Sequence, residues 1–286
     1  KIMLAYGLYT KELEENMEMV RALQKCTLCK RCEVDCPSLI KITDIIKAAR
    51  LELRTLLPEH EILVDNFRRT NNILGEENFE RDGGRIAFIM GCMVKKEMKD
   101  VVISLFDKLG VDVTIVGGCC GHPIEKIGRK VETDMGKKLR EKEIEKVVFS
   151  CPNGMLALRE FNPMHITQFV LSLNPEMKRE EKRYIYHDSS FLGRYLGIYD
   201  EPRELIGRVA NLVEFDESRE RARQCGGEIE FRRAFPQEAE ELAMHLIKEA
   251  REKNATIVTA SPHCYGHLKE YGEVVDIVHL LERSII

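Results

Sequence analysis

"VDVTIVGGCCG", residues 111–121, runs from an apolar stretch into two glycines, two adjacent cysteines and a third glycine. Adjacent cysteines rarely bridge each other, because the ring that would form is badly strained, so Cys119 and Cys120 are placed for some other purpose. Two runs of the same kind flank the pair. "RIAFIMGC" (85–92) ends at Cys92, and "KVVFSCPNG" (146–154) passes into Cys151. Between them, Met98, Val101, Val102, Leu105, Phe106 and Leu109 mark one face of a helix, and residues 128–143 suggest another. Alternating strands and helices imply a parallel sheet covered by helices. Open sheets of this kind bind ligands beyond the carboxyl ends of their strands, which is where these cysteines fall.

The pattern returns after the charged connector "NPEMKREEKR" (174–183). "YIYHDSS" (184–190), "NLVEF" (211–215) and "ATIVTASPHC" (255–264) read as strands. A helix carrying Ala239, Leu242, Ala243, Leu246, Ile247 and Ala250 separates the last two. Laid on the first half, Ser190 falls on Cys92 at an offset of 98, and Gln224-Cys225-Gly226 falls on Cys119-Cys120-Gly121 at 105. "SPHC" (261–264) falls on "CPNG" (151–154) at 110. A slowly growing offset is what loop insertions produce in a duplicated domain.

A different cysteine group lies upstream. "CTLCKRCEVDCP" (26–37) sets Cys26, Cys29, Cys32 and Cys36 in the C-x-x-C-x-x-C-x-x-x-C-P run of bacterial ferredoxins, which holds a 4Fe–4S cluster. Zinc sites usually divide their cysteines into two distant pairs. In two-cluster ferredoxins the fourth cysteine ligates the other cluster, and no second run is present. Either a further run precedes Lys1 and Cys36 belongs to its cluster, or the site is atypical. Leu13, Met17 and Val20 recur at helical spacing before the group, and Ile45, Ile46, Ala49, Leu53, Leu56 and Leu57 after it. "GEENFERDGGR" (75–85) reads as a linker. The expected fold class is α + α/β. A helical ferredoxin-like domain (1–78) is followed by two duplicated α/β cysteine-rich modules, 85–180 and 183–286. The modules should face each other near a pseudo-twofold axis, with their cysteine-bearing strand ends converging.

Composition narrows the chemistry. The net charge of −4 over 286 residues leaves no broad basic footprint, so no nucleic acid is expected. Ten tightly spaced cysteines without an export signal point to metal or redox chemistry rather than disulfides. No apolar stretch approaches a membrane span, and the expected location is cytoplasmic, with membrane association only through a partner. The glycines of "IVGGCCGHP" lack the G-x-G-x-x-G spacing, and no flavin or nucleotide is expected on this chain.

The halves resemble the paired CCG modules of heterodisulfide reductase D/B-type subunits. They are also similar to the iron–sulfur subunits of glycolate, D-lactate and glycerol-3-phosphate dehydrogenases. Modules of this family read C…CCG…C-P-x-C. "YHDSSFLGRYLGIYDEPREL" (186–205) is similar to the family's H-D-P-C-x-L-G-R, with Ser189 and Ser190 in place of Pro-Cys. "CTLCKRCEVDCPSLIKITDIIKAAR" (26–50) resembles the second ferredoxin motif of these subunits, and "KIMLAYGL" (1–8) the segment that follows the first. The resemblance spans essentially the whole chain and implies another ferredoxin run upstream of Lys1.

It also implies five cysteines per module, which in heterodisulfide reductases hold a noncubane 4Fe–4S cluster that attacks the disulfide. Here the first module has Cys92, Cys119, Cys120 and Cys151, with Gly154 in the last place. The second has Ser190, Gln224 and Ser261 at three of the five, leaving Cys225 and Cys264. Four cysteines suffice for a cubane cluster or for zinc; the other reading is a pair of buried thiols left from an ancestral site. His187, His263 and His267 lie near Cys225 and Cys264 in the motifs, so a Cys/His zinc site is conceivable, although such histidines more often cap helices or hydrogen-bond. The expected function is an electron-transfer subunit that links a flavoprotein dehydrogenase to a quinone, membrane cytochrome or soluble carrier. The alternatives are a catalytic thiol–disulfide reductase, which needs an intact set of five, and a metal-poor docking scaffold.

Overall fold

Strands β1 (Ile86–Gly91), β2 (Val113–Gly118), β3 (Lys146–Phe149) and β4 (Met164–His165) form a sheet of order β2-β1-β3-β4 with every pairing parallel, in a computed structural model that describes residues 1–94 and 97–286. Strands β5 (Arg183–His187), β6 (Asn211–Val213), β7 (Thr256–Thr259) and β8 (Val274–Asp276) repeat it as β6-β5-β7-β8. The core strands read as continuous apolar runs because helices bury both faces of a parallel sheet. β2 is buried along its whole length. Three strands per half are legible in the sequence. The fourth, β4 or β8, is only two or three residues long, too short to carry a pattern.

Register confirms the duplication. Ile89 pairs with Phe149 and His187 with Thr259, the same offsets of 98 and 110 that the sequence shows. Ala87 pairs with Thr114 and Ile185 with Val213, an offset of 98 for the first partners and 99 for the second. The further growth to 105 therefore arises between β6 and Cys225, where a short 3-10 turn, Arg219–Arg221, is inserted.

The halves pack reciprocally. Helix Met98–Lys108 of the first lies on Ile277–Ser284 of the second, with Ser104 Oγ donating to Glu282 at 2.7 Å. Helix Asp200–Val209 of the second lies on Ile166–Leu173 of the first, with Gln168 Nε2 donating to Glu201 at 3.1 Å. First helix on last helix, twice over, is an isologous contact within one chain. One apolar core runs through both halves, including Phe88, Phe106, Phe169, Tyr184 and Tyr186. His165 marks the axis: its Nε2 lies 3.3 Å from the Ser150 carbonyl and 3.1 Å from that of Ala260, residues that correspond at the offset of 110.

Five helices precede the sheets: Ile2–Thr10, Met17–Gln24, Arg31–Val34, Ile42–Glu52 and Pro58–Thr70. Val20, Leu23, Leu28, Ile46, Ala49 and Leu53 form a core that closes on Phe191, Phe231 and Phe235 of the second half. The apolar stripes read in this region need correction. Leu13 and Met17 are exposed, and Leu56 and Leu57 lie beyond the helix Ile42–Glu52, in the extended segment before Pro58 starts the next. Residues 128–143 are likewise not one helix. Helices His122–Lys126 and Met135–Glu141 flank a break at Gly128, where a Cβ would stand 2.1 Å from the Arg50 carbonyl oxygen. The 75–85 stretch is fastened rather than free. Arg81 bridges Ile115 in antiparallel sense, and the Phe79 backbone lies where a Cβ on Gly117 would be.

Candidate metal centres

Four thiols of the first half meet beyond the carboxyl ends of three strands. Cys92 directly follows β1, Cys119 and Cys120 follow β2, and Cys151 lies two residues past β3. Gly121 closes the pair with φ +75, and Gly226 in the second half repeats it at φ +79, a left-handed conformation in which a side chain is strained. This explains the third letter of the CCG pattern in both halves. Cys119 N–H donates to Asn71 O at 3.1 Å and Thr133 Oγ1 donates to Cys119 O at 2.9 Å, fixing the turn.

The four sulfurs act on one another. On Cys92 the hydrogen bond with Cys119 favours the thiolate, but burial and the charges of Cys120 and Cys151 outweigh it and its pKa rises. The Cys119–Cys120 hydrogen bond lowers the first partner and raises the second; with the Cys92 bond and burial added, both thiols stand well above the ordinary range. Cys151 is raised by burial and then by Cys120. Backbone N–H groups oppose this, from Gly121 at Cys119, His122 at Cys120, and Asn153 and Gly154 at Cys151. Buried sulfurs placed in this way stay protonated while no cation is bound, and a metal would have to displace their protons. Gly154, in the place of the fifth cysteine, leaves no open side: a Cβ there would lie 2.5 Å from Phe149 Cε1. A cavity of about 130 Å³ lies beside Cys92, lined by Met93, Ser150, Pro262, Tyr265 and Asp276.

The upstream group is gathered in a tight loop. Cys26 follows helix Met17–Gln24, Cys32 lies within Arg31–Val34, and the Cys32 thiol is raised by burial and by the charges of Cys29 and Cys26. Leu28 and Lys30 both adopt left-handed conformations, φ 55 and 62, which fold the chain around the three sulfurs. Cys36 comes just past the short helix and is half-buried. Nothing in the sequence pattern marks what holds this loop. Arg50, fully buried, donates to the carbonyls of Leu23, Gln24 and Cys26 and, at 2.7 Å, to that of Lys126 in the first half. Burial pulls its pKa down to about 10, and the Cys26 charge opposes that. Tyr195 Oη donates to Leu28 O at 2.7 Å and Arg194 Nε donates to Cys29 O, both from the second half. Periodicity gives no signal for an arginine that works by reaching carbonyls.

In the second half Cys225 and Cys264 lie with their sulfurs 3.0 Å apart, both buried. The His187 ring at the end of β5 joins them, and one ligand atom from each of the three falls within 4.8 Å of the others. His263 and His267 face elsewhere. The His263 Nε2 lies 3.1 Å from Asn153 Nδ2, and His267 Nε2 donates to Ala239 O. Two of the three vacated cysteine positions carry hydrogen bonds instead: Arg194 donates to Ser190 Oγ at 2.7 Å, and Ser190 to Gln224 Oε1 at 3.2 Å.

A buried polar seam joins the halves between the cysteine groups. Lys126 pairs with Glu228 and, at 2.6 Å, with Glu230, and its ammonium also lies 4.6 Å from the Phe191 ring centre. Asn153 Nδ2 donates to Glu228 at 2.9 Å, and His122 Nδ1 lies 3.2 Å from Asn153 Oδ1. Burial alone would raise the Glu228 carboxyl, but His263, Lys126 and Asn153 hold it below the ordinary carboxylate range. Asn153 and His263 are the third residues of "CPNG" and "SPHC", so the duplicated motifs touch across the axis.

These observations agree with the comparisons to known proteins. The chain is 24% identical to a component of the dihydromethanophenazine:CoB–CoM heterodisulfide reductase of Methanosarcina acetivorans, over 96% of this chain and 80% of that one. It is 27% identical to a component of the fumarate reductase (CoM/CoB) of Methanothermobacter marburgensis, over 91% of this chain and 61% of the relative. It is 25% identical to the EtfAB:quinone oxidoreductase of Syntrophomonas wolfei, over 70% of this chain and 35% of the relative. Among the described residues no helix is long and apolar enough to cross a membrane. The model of the CCG cysteine-rich domain matches twice, at residues 86–159 and 184–269, the two sheet-bearing halves just described, and the chain belongs to that family.

Proposed function

We propose that the chain is the iron–sulfur electron-transfer subunit of a multi-subunit oxidoreductase. The observation that carries this reading is the placement of Cys92, Cys119, Cys120 and Cys151 beyond three adjacent strand ends, Cys119 and Cys151 buried and the other two half-buried, together with the separate Cys26–Cys29–Cys32 loop packed against the same body. Residues 1–78 act as a helical ferredoxin-like domain, and 85–180 and 183–286 as the two modules. Cys26, Cys29 and Cys32 would hold one 4Fe–4S cluster, with Cys36 as a further thiolate ligand of the same run. Cys92, Cys119, Cys120 and Cys151 would hold a second cluster, for which zinc is the alternative occupant.

Bound there, iron–sulfur centres supply one-electron exchange at potentials set by their surroundings. The protein's part is legible in its own groups. The N–H groups of Gly121, His122, Asn153 and Gly154 donate to the sulfurs and would favour added negative charge. Arg50 spans the carbonyl of Cys26 and that of Lys126, tying the upstream loop to the helix His122–Lys126 that follows Cys120. Relatives named as heterodisulfide reductase, fumarate reductase and quinone oxidoreductase components support a redox partner such as a flavoprotein, and a quinone, cytochrome or soluble carrier beyond it.

The thiol–disulfide reductase reading is weakened by two features. Phe149 fills the place of a fifth cysteine. The cavity beside Cys92, about 130 Å³, is well below the roughly 300–1,000 Å³ of ordinary ligand pockets. The experiment is Cys119→Ala in anaerobically prepared protein. It should lose roughly four iron atoms per chain while the Cys26–Cys29–Cys32 centre stays reducible. Unchanged metal content and spectrum would remove Cys119 from the ligand set.

A further inference from the structure

The geometry points to a closed zinc site in the second half, built from Cys225, Cys264 and His187. Neither the family's five-cysteine pattern nor the first half contains it. His187 opens the stretch similar to the family's H-D-P-C, and at the offset of 98 it corresponds to Ile89, so the first half has no counterpart of it.

Three observations carry it. The ligand atoms lie within 4.8 Å of one another, and zinc bonds of about 2.3 Å to sulfur and 2.0–2.1 Å to nitrogen place tetrahedral ligands roughly 3.5–3.8 Å apart. The sulfurs, at 3.0 Å, need to open by less than an ångström. The imidazole is oriented as metal-bound histidines are: Nε2 is 3.2 Å from the Arg223 carbonyl and donates to it, which leaves Nδ1 as a lone pair. Its Nδ1 is buried with no nitrogen or oxygen partner, the ring interacts with the Cys264 sulfur, and it is held edge-on to Phe215 at 6.4 Å. Finally, all three residues are at most 2% exposed. A buried thiolate pair without a cation would be costly, while two thiolates and a neutral imidazole balance a dication's charge.

Zinc suits this set better than an iron cluster. Mixed sulfur and nitrogen donors suit zinc, whose structural sites take four ligands and so require one more beside these three, whereas a cluster needs more thiolates than the half offers. Gly227 N–H donates to Cys225 Sγ at 3.4 Å, supporting the sulfur as it would a bound thiolate. Ser261 Oγ, at the position matching Cys151, is buried and also lacks a partner, and is the candidate fourth ligand. Burial also separates this site from a catalytic dithiol, because no substrate disulfide could reach the sulfurs.

The test uses the full chain, purified anaerobically and supplied with zinc during expression. Mass-spectrometric metal analysis should find one zinc per chain, and zinc-edge absorption on the unaltered protein should show two sulfurs and at least one imidazole nitrogen. His187→Ala and Cys264→Ser should each lose that zinc and keep the iron. The absorption measurement stands even where a variant fails to fold. A zinc coordinated by four sulfurs, zinc retained in both variants, no zinc at all, or Cys225 and Cys264 recovered as a disulfide would each overturn the assignment.

Discussion

The two halves share strand order, register, the left-handed glycine after the cysteine pair and the reciprocal helix packing, yet only the first keeps four of the five expected cysteines. The difference is organised rather than random. In the second half the vacated positions have become a seat for the N-terminal loop: Arg194 reaches from Ser190 Oγ to the Cys29 carbonyl, and Tyr195 caps the Leu28 carbonyl. The segment inserted after β6 serves the same end, since Arg31 donates to Arg221 O at 3.1 Å and pairs with Glu217. One copy of the module thus presents four thiols, and the other keeps two and docks the loop that bears the upstream four. A duplication that began symmetric has divided its labour.

The largest expected effect lies at the seam between the halves, where the asymmetry is electrostatic. Lys126 corresponds to Phe231 at the offset of 105, so the cation comes from one half and both carboxylates from the other. Lys126→Met would leave Glu228 and Glu230 buried without their ammonium partner, with only His263 and Asn153 facing Glu228. Breaking a buried pair in this way costs about 3–5 kcal/mol. The denaturation midpoint at pH 7 should fall accordingly, and Lys126→Met with Glu228→Gln and Glu230→Gln together should recover most of the loss. An unchanged midpoint in the single variant would mean that the halves do not depend on this charge.

Much of this architecture can be read from the chain. The core strands are unbroken apolar runs, and the drifting offsets locate the insertions. Short β4 and β8 leave no trace because two or three residues cannot express a period. The 128–143 stretch reads as one helix because an apolar pattern does not record that Arg50 must approach at Gly128. In the site, thiols are legible because metal chemistry fixes their spacing. Arg50, Arg194, Lys126 and Glu228 escape such a reading because a long polar side chain can act on partners far away in sequence. Asn153 and His263 are findable in principle, as matched positions in two motifs that align.

A smaller effect tests the fifth position. The first half has Phe149 and Gly154, and the second has Thr259 and Cys264 at the corresponding places. Bulk on the strand goes with its absence on the helix, and the reverse. Gly154→Cys alone drives a side chain into the Phe149 ring and should cost about 1–3 kcal/mol by overpacking. Phe149→Thr with Gly154→Cys reproduces the second half's pair and should be the better tolerated of the two. If the single variant is as stable as the parent, Phe149 is not what keeps the fifth cysteine out.

The smallest effect concerns the axis itself. His165 is buried between the Ser150 and Ala260 carbonyls, and desolvation pulls its pKa down to about 4 despite those acceptors. The folded protein therefore keeps this ring neutral where the unfolded chain, near 6.5, binds a proton. Its contribution to stability is fully present above about pH 6.5 and is lost as pH falls toward 4, by up to about 1.4 kcal/mol per pH unit. His60, also lowered to about 4 by burial, adds a second such proton, while Asp276, raised to about 7 by burial, acts in the opposite sense. His122, pulled down to about 3 by burial, and the lowered His267 and His279 add to the total slope, so the informative quantity is a difference. His165→Gln keeps a donor at the Nε2 position but removes the titration. Its unfolding free energy should depend on pH less steeply than the parent's between 6.5 and 4.5, by close to one proton. Parallel slopes would mean that the ring is protonated in the folded state, and the carbonyls of the two halves would then share a charge rather than a neutral donor.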